Sequence, residues 1–163
     1  MVKKNGMKHY VVLAMLVAFP AQADDIFSAQ EKQSIMKVTL QKFWGQAVDS
    51  KGQPIMPKDD AERANLPITR EQASYLIDKG AESAMAEWCN VAWEERFHLL
   101  MKQMRNNAYN ETQLAYAGVL HGVAQGMTKR AVNNQKCDAD TKQQITTIIK
   151  QDISNLKKSL KPA

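Results

Sequence analysis

Thr69-Arg-Glu-Gln-Ala-Ser-Tyr-Leu-Ile-Asp-Lys-Gly-Ala-Glu-Ser-Ala-Met-Ala-Glu-Trp88 is the stretch from which the fold class follows. Its first four residues form a capping box, in which the Thr69 hydroxyl accepts from the Gln72 N–H while the Gln72 side chain reaches back to the Thr69 N–H. Behind this cap Ile77, Ala81, Ala84, Trp88 and Ala92 recur every three or four residues, and the pattern continues through Leu99 to Asn106. One straight helix over that span would be roughly 55 Å long, so a kink or break is expected, with Gly80 the candidate bend.

The same punctuation recurs on either side. Ser28-Ala-Gln-Glu31 is a capping box ahead of Met36, Leu40, Phe43 and Ala47, a helix expected to end between Gly45 and Asp49. Asn110-Glu-Thr-Gln113 opens a helix to about Val132, stopped by Asn133-Asn134. Asp138 or Asp140 caps a last helix whose stripe is Ile145, Ile148, Ile149, Ile153, Leu156 and Leu160. Between the first two helices, Val48 to Pro67 carries Gly52, Pro54, Pro57 and Pro67, which forbid a long regular element; Asp59 to Arg63 has room for one helical turn. No strand alternation appears. The sequence therefore predicts an all-α fold, a disulfide-tied bundle of four or five helices with one long proline-containing loop.

Residues 1–23 read as a secretory signal peptide. Lys3, Lys4 and Lys8 precede an apolar run from Tyr10 to Phe19, and Ala21-Gln22-Ala23 supplies small residues for cleavage. The expected product is a single helical domain, residues 24–163, in an oxidising compartment, with the bacterial periplasm the first candidate. Removing three leader lysines lowers the formal charge of +5 to +2, so the sequence pI of 9.2 carries no case for nucleic-acid binding. No second apolar run approaches a membrane span, which predicts a product that is not membrane-anchored after cleavage. In such a compartment Cys89 and Cys137, with no C-x-x-C spacing, read as a structural disulfide that ties the middle of one helix to the start of another, with metal ligation or a bridge between subunits as the alternatives.

Gly118, Gly122 and Gly126 fall on one helical face, each costing about 1 kcal/mol of helix propensity relative to alanine. Close packing against another helix of the same chain is the expected compensation, with a partner-docking groove or a homodimer contact as the alternative. Glu95 and His98 make one E-x-x-H half-site, but a di-iron bundle needs a second, which the sequence lacks. His98, Met101 and Met104 follow at steps of three and form a soft donor set suited to Cu(I), although both methionines also suit core packing. No bound cofactor is expected. Of two further histidines, His9 lies in the leader and His121 in the glycine-bearing helix, and no nucleophile elbow, zinc-protease motif or phosphate loop occurs. Glu82, Glu87, Glu94 and Glu95 could supply the two carboxylates of a glycosidase, but read more simply as a solvated helix face. A non-enzymatic protein is predicted.

The segment Tyr116-Ala-Gly-Val-Leu-His-Gly122-Val-Ala-Gln-Gly126, followed by Cys137 and an apolar last helix, resembles small exported helical immunity proteins of the Rap/Tai type. It departs from them in lacking a cysteine at the start of that segment. The resemblance implies a compact, disulfide-tied protein that works by occluding a partner. The residues favour the same class: Pro54, Ile55, Met56 and Pro57 place two apolar side chains in a loop with no periodic reason for burial. The expectation is a periplasmic binder of a protein partner, as inhibitor, immunity factor or assembly component. The alternatives are a carrier of a small ligand or soft metal ion, with a cavity lined by Trp88, Trp93, Met101 and the glycine face, and a stress chaperone.

Overall fold

The computed structural model describes residues 26–161; the signal peptide read from residues 1–23 lies outside them. Six helices occur among the described residues: α1 (Ala29–Phe43), α2 (Asp60–Ala64), α3 (Arg70–Trp88), α4 (Glu94–Asn106), α5 (Glu111–Val132) and α6 (Ala139–Ser159). Both expected capping boxes form, at Ser28 and Thr69, the Asn110 cap proves to be a third such box with Gln113, and Asp138 caps α6 through the Thr141 N–H. None of the six is long and apolar enough to cross a membrane.

The long periodic stretch does break, but at Asn90 and not at Gly80. Asn90 adopts the left-handed conformation (φ 53°), and the Val91 N–H returns to the Ala86 carbonyl at 2.8 Å, closing α3 as a Schellman turn. The chain then reverses: Arg96 of α4 meets Ser83 of α3, and Tyr109, just beyond α4, meets Gln72. Helix α5 runs parallel to α3, from the Gln113 to Pro67 hydrogen bond to the Lys129 to Glu87 ion pair. Helix α6 runs antiparallel to α3, and α1 lies across the first halves of α3 and α5, through the Lys32–Asp78 ion pair and a hydrogen bond from the Tyr116 hydroxyl to the Met36 carbonyl. The main core includes Phe43, Leu76, Ile77, Leu100, Tyr116 and Leu120; a second cluster sets Ala86 and Cys89 against Ile145 and Ile149. The disulfide Cys89–Cys137 (Cα–Cα 5.3 Å) lies beside that cluster. Because α3 has ended at Trp88, the bond joins the exit of one helix to the start of another, not the middle of a helix as the unbroken pattern implied.

The proline-containing segment has its own structure. Gly45 and Gly52, both at positive φ, turn the chain so that Ile55 exchanges backbone hydrogen bonds with Gly45 and Ala47 at 2.8 and 2.9 Å, and Val48 bridges Pro54. This hairpin buries Ile55, which is only 7% exposed and belongs to the main core. Helix α2 supplies the expected single turn.

The glycine pattern is reversed from expectation. A Cβ at Gly118 or Gly122 would meet nothing within 4 Å, and one at Gly126 only the end of Arg130, so this face of α5 is open and packs against no other helix. The close approach falls instead at Gly80, where a Cβ would stand 2.3 Å from the His121 carbonyl oxygen. Gly80→Ala should therefore cost about 3 kcal/mol or more, because backbone must move. Gly122→Ala should leave stability unchanged or raise it by about 0.5–1 kcal/mol through helix propensity. Urea unfolding of the two variants checks both. Reducing the Cys89–Cys137 bond, which closes a loop of 48 residues, should lower the unfolding free energy by about 2–5 kcal/mol in the same assay.

Candidate functional site

Two places concentrate polar chemistry or exposed apolar surface. The first is internal. Arg96 is carried into the bundle because it sits on the apolar stripe of α4, four residues before Leu100 and eight before Met104. Its side chain is only 2% exposed. Its guanidinium donates to Glu82, to Asp152 of α6 at 3.1 Å, to the Lys79 carbonyl at 2.6 Å and to Ser83 Oγ at 2.8 Å. Lys79 completes the cluster with 2.9 Å contacts to Glu82 and Asp152. Burial works against the Lys79 charge, but the two carboxylates outweigh it and its pKa is raised. Two cations and two anions are thus mutually neutralised where α3, α4 and α6 meet.

Helix α5 joins this cluster through His121, whose Nε2 lies 3.1 Å from Ser83 Oγ. Phe97 and Trp93 pack on the ring at centroid distances of 4.5 and 5.9 Å. Ser83 and His121 have the make-up of a nucleophile and its base, but the geometry assigns them otherwise. The Ser83 hydroxyl donates to the Lys79 carbonyl at 2.8 Å and accepts from Arg96, so the His121 Nε2–H is the donor to Ser83. Both residues are buried. Burial, reinforced by the Arg96 charge, lowers the His121 pKa to about 4. The pair is a structural hydrogen bond with its proton inventory filled.

The second place is the outer side of the hairpin. Met56 and Val48 are 61% and 53% exposed, while Pro54 is exposed and Pro57 half-buried. Three ties hold this surface still: Ile55 in the core, the Trp44 indole N–H donating to the Arg63 carbonyl at 3.2 Å, and the Ser50 N–H donating to Glu111 at 3.0 Å. At the far end of the Val48–Pro67 segment, Ala64 and Leu66 border an open groove between α1 and the start of α3, two depressions of about 470 and 300 Å³ that share Gln33, Met36 and Arg70. Of the quartet Pro54, Ile55, Met56 and Pro57, the structure leaves Met56 to face solvent and withdraws Ile55.

The soft-metal set is not assembled. Met101 and Met104 are buried in the main core, whereas His98 is exposed. No cluster of three or more His, Cys, Asp or Glu side chains suited to a metal occurs among the described residues. The proposed cavity of Trp88, Trp93, Met101 and the glycine face does not form either, since the glycine face looks outward and the tryptophans pack on the second cluster. Of the four glutamates read as one solvated face, Glu87 and Glu95 pair with Lys129 and Lys157 near the surface, but Glu82 turns inward to Arg96. The signal for the internal cluster was present as polar residues on apolar stripes: Arg96 ahead of Leu100 and Met104, and Asp152 between Ile149 and Leu156.

No protein-family pattern, curated protein or solved structure matches this chain.

The lowered His121 pKa fixes a pH dependence. Below about pH 6.5 the unfolded chain binds a proton at this residue that the folded chain refuses, so stability is complete above that value and falls as the pH drops. Between pH 6.5 and about pH 4 the His121 contribution should amount to a loss of about 3 kcal/mol. Urea unfolding at pH 7 and pH 4.5 should show a smaller decline in His121→Gln, which keeps a donor for Ser83 but cannot titrate, than in the unmodified protein.

Proposed function

We propose that this protein is an exported, non-enzymatic binder of a protein partner in the periplasm, acting as an inhibitor, immunity factor or assembly component through the Val48–Pro67 segment. The observation that carries the reading is a loop that exposes Met56 and Val48 while being clamped to the core, to α2 and to α5. A clamped loop gives up little conformational entropy on docking, which is what a binding surface on a rigid scaffold requires. The adjoining groove along Met36, Leu40 and Leu66 offers apolar area continuous with the segment. The Cys89–Cys137 bond and the leader-like residues 1–23 support an oxidising compartment. The sealed Ser83–His121 pair supports binding in place of turnover.

Cutting the segment away would remove Ile55 from the core, so the test is made at its exposed side chains. The double variant Val48→Asp, Met56→Glu should unfold within about 0.5 kcal/mol of the unmodified protein, as surface changes do. Used as oxidised bait in periplasmic extract, it should no longer capture the protein that the unmodified chain captures. Undiminished capture would move the interface elsewhere, with the open face of α5 at Gly118 and Gly122 next in line. If neither form captures a protein and the native material copurifies with copper or an organic ligand, the carrier reading replaces this one.

A further inference from the structure

We propose that the cavity between the first half of α3 and the end of α4 is a binding site for one uncharged phenolic ring, carried either by a free small molecule or by a tyrosine side chain of a partner protein. The site lies apart from the exposed residues of the hairpin. Its volume is about 140 Å³. An apolar cavity of roughly 150 Å³ takes up benzene, so a single six-membered ring fits here and a two-ring system does not fit inside. The floor is Leu76 of α3 with Leu100 and Met104 of α4, all three buried. Tyr75 and Tyr109 supply aromatic walls, and Tyr75 is 44% exposed at the mouth. Tyr109 is held in place by the chain reversal after α4. Ala108 adopts a left-handed conformation (φ 59°), the Tyr109 N–H returns to the Met104 carbonyl at 3.2 Å, and the Gln72 side chain bonds the Tyr109 hydroxyl. Aromatic walls over an aliphatic floor favour an aromatic guest, which packs edge or face against each ring.

The polar groups of the lining set the class of guest. No charged side chain lines this cavity, whereas each depression beside α1 carries Arg70 and a lysine. A carboxylate or phosphate entering it would give up water and meet no cation, so the guest is neutral. Two amides in the lining have hydrogen-bonding capacity to spare. Gln103 spends its Nε2 on Ser159 Oγ at 2.9 Å, which leaves its Oε1 as an acceptor. The Asn107 side chain makes no hydrogen bond among the described residues and offers both a donor and an acceptor. A hydroxyl on the ring donates and accepts at once and so matches this pair, while a plain hydrocarbon ring leaves it unused. A sugar ring, with hydroxyls on every edge, would bury several of them unpaired against Leu76, Leu100 and Met104.

Met104 in the floor reports on the site directly. In the oxidised protein carrying methyl-labelled methionine and observed by NMR, phenol should shift the Met104 methyl resonance saturably through its ring current. The methyls of Met56, in the hairpin, and Met127, in the last half of α5, should stay in place. Phenol should bind about 2–10-fold more tightly than benzene, the worth of one neutral hydrogen bond, and benzoate should not bind. In the double variant Gln103→Leu, Asn107→Ala, phenol should fall to the level of benzene. A Met104 methyl that phenol leaves unmoved, or moves only together with Met56 and Met127, overturns the proposal. Benzoate binding as tight as phenol overturns it too, as does a preference for phenol that survives in the double variant. Should that variant fail to fold, phenol against benzoate in the unmodified protein decides. N-acetyltyrosinamide separates the two sources of the ring: binding like that of phenol assigns it to a tyrosine of a partner protein, and exclusion while phenol binds assigns it to a free molecule.

Discussion

Arg96 is a guanidinium stripped of nearly all its water, and the arrangement of four helices answers to that one fact. Burying an isolated charge of this size costs far more than a small domain can spare. The cost is offset only where each donor finds an acceptor, and here the acceptors come from different elements: Glu82, Ser83 and the Lys79 carbonyl on α3, and Asp152 on α6. His121 then ties α5 to the same hydroxyl. A helix that slid by one turn would leave a buried charge unpaired, so the cluster specifies register more than it adds net stability.

The Gly80 crossing makes this geometry reachable. Ser83 and His121 come within hydrogen-bonding distance because α3 and α5 approach closely one turn earlier, where the absence of a Cβ on Gly80 admits the His121 carbonyl. The neighbouring alanines, Ala73, Ala81, Ala84, Ala117 and Ala124, are fully buried and keep the two helices close along their length. A contact made by small residues is intolerant of added volume, whereas the open side of α5 has room for it.

Most of the fold was legible because caps are local. A Ser, Thr or Asn followed three residues later by Glu or Gln can satisfy its own backbone donors locally, and ahead of an apolar periodic run, at Ser28, Thr69 and Asn110, the box formed where it was written. The break at Asn90 was harder to locate, since a left-handed asparagine competes with glycine as a helix stop and Gly80 was the more conspicuous breaker. The glycines misled for a related reason. Spacing shows which residues share a face and is silent on what that face meets, so three aligned glycines looked like the close contact that a single one elsewhere provides. Ile55 was invisible to periodicity because its burial depends on a hairpin closed by Gly45 and Gly52, a tertiary event with no helical or strand repeat behind it.

The candidate surface and the internal cluster divide the molecule's physical work. Chemistry-bearing side chains are concentrated inside, where their donors and acceptors are already used on one another. Outside, the hairpin presents apolar side chains in fixed positions, and its rigidity is borrowed from that interior through Ile55 and from α5 through Glu111. In the proposed docking, a side chain such as Met56 would lose contact with water, and its usefulness to a partner would depend on how little else must reorganise. For the proposed recognition, the ties from Trp44 to Arg63 and from Ser50 to Glu111 would matter as directly as the exposed residues themselves, because they set the position of the loop in the unbound protein.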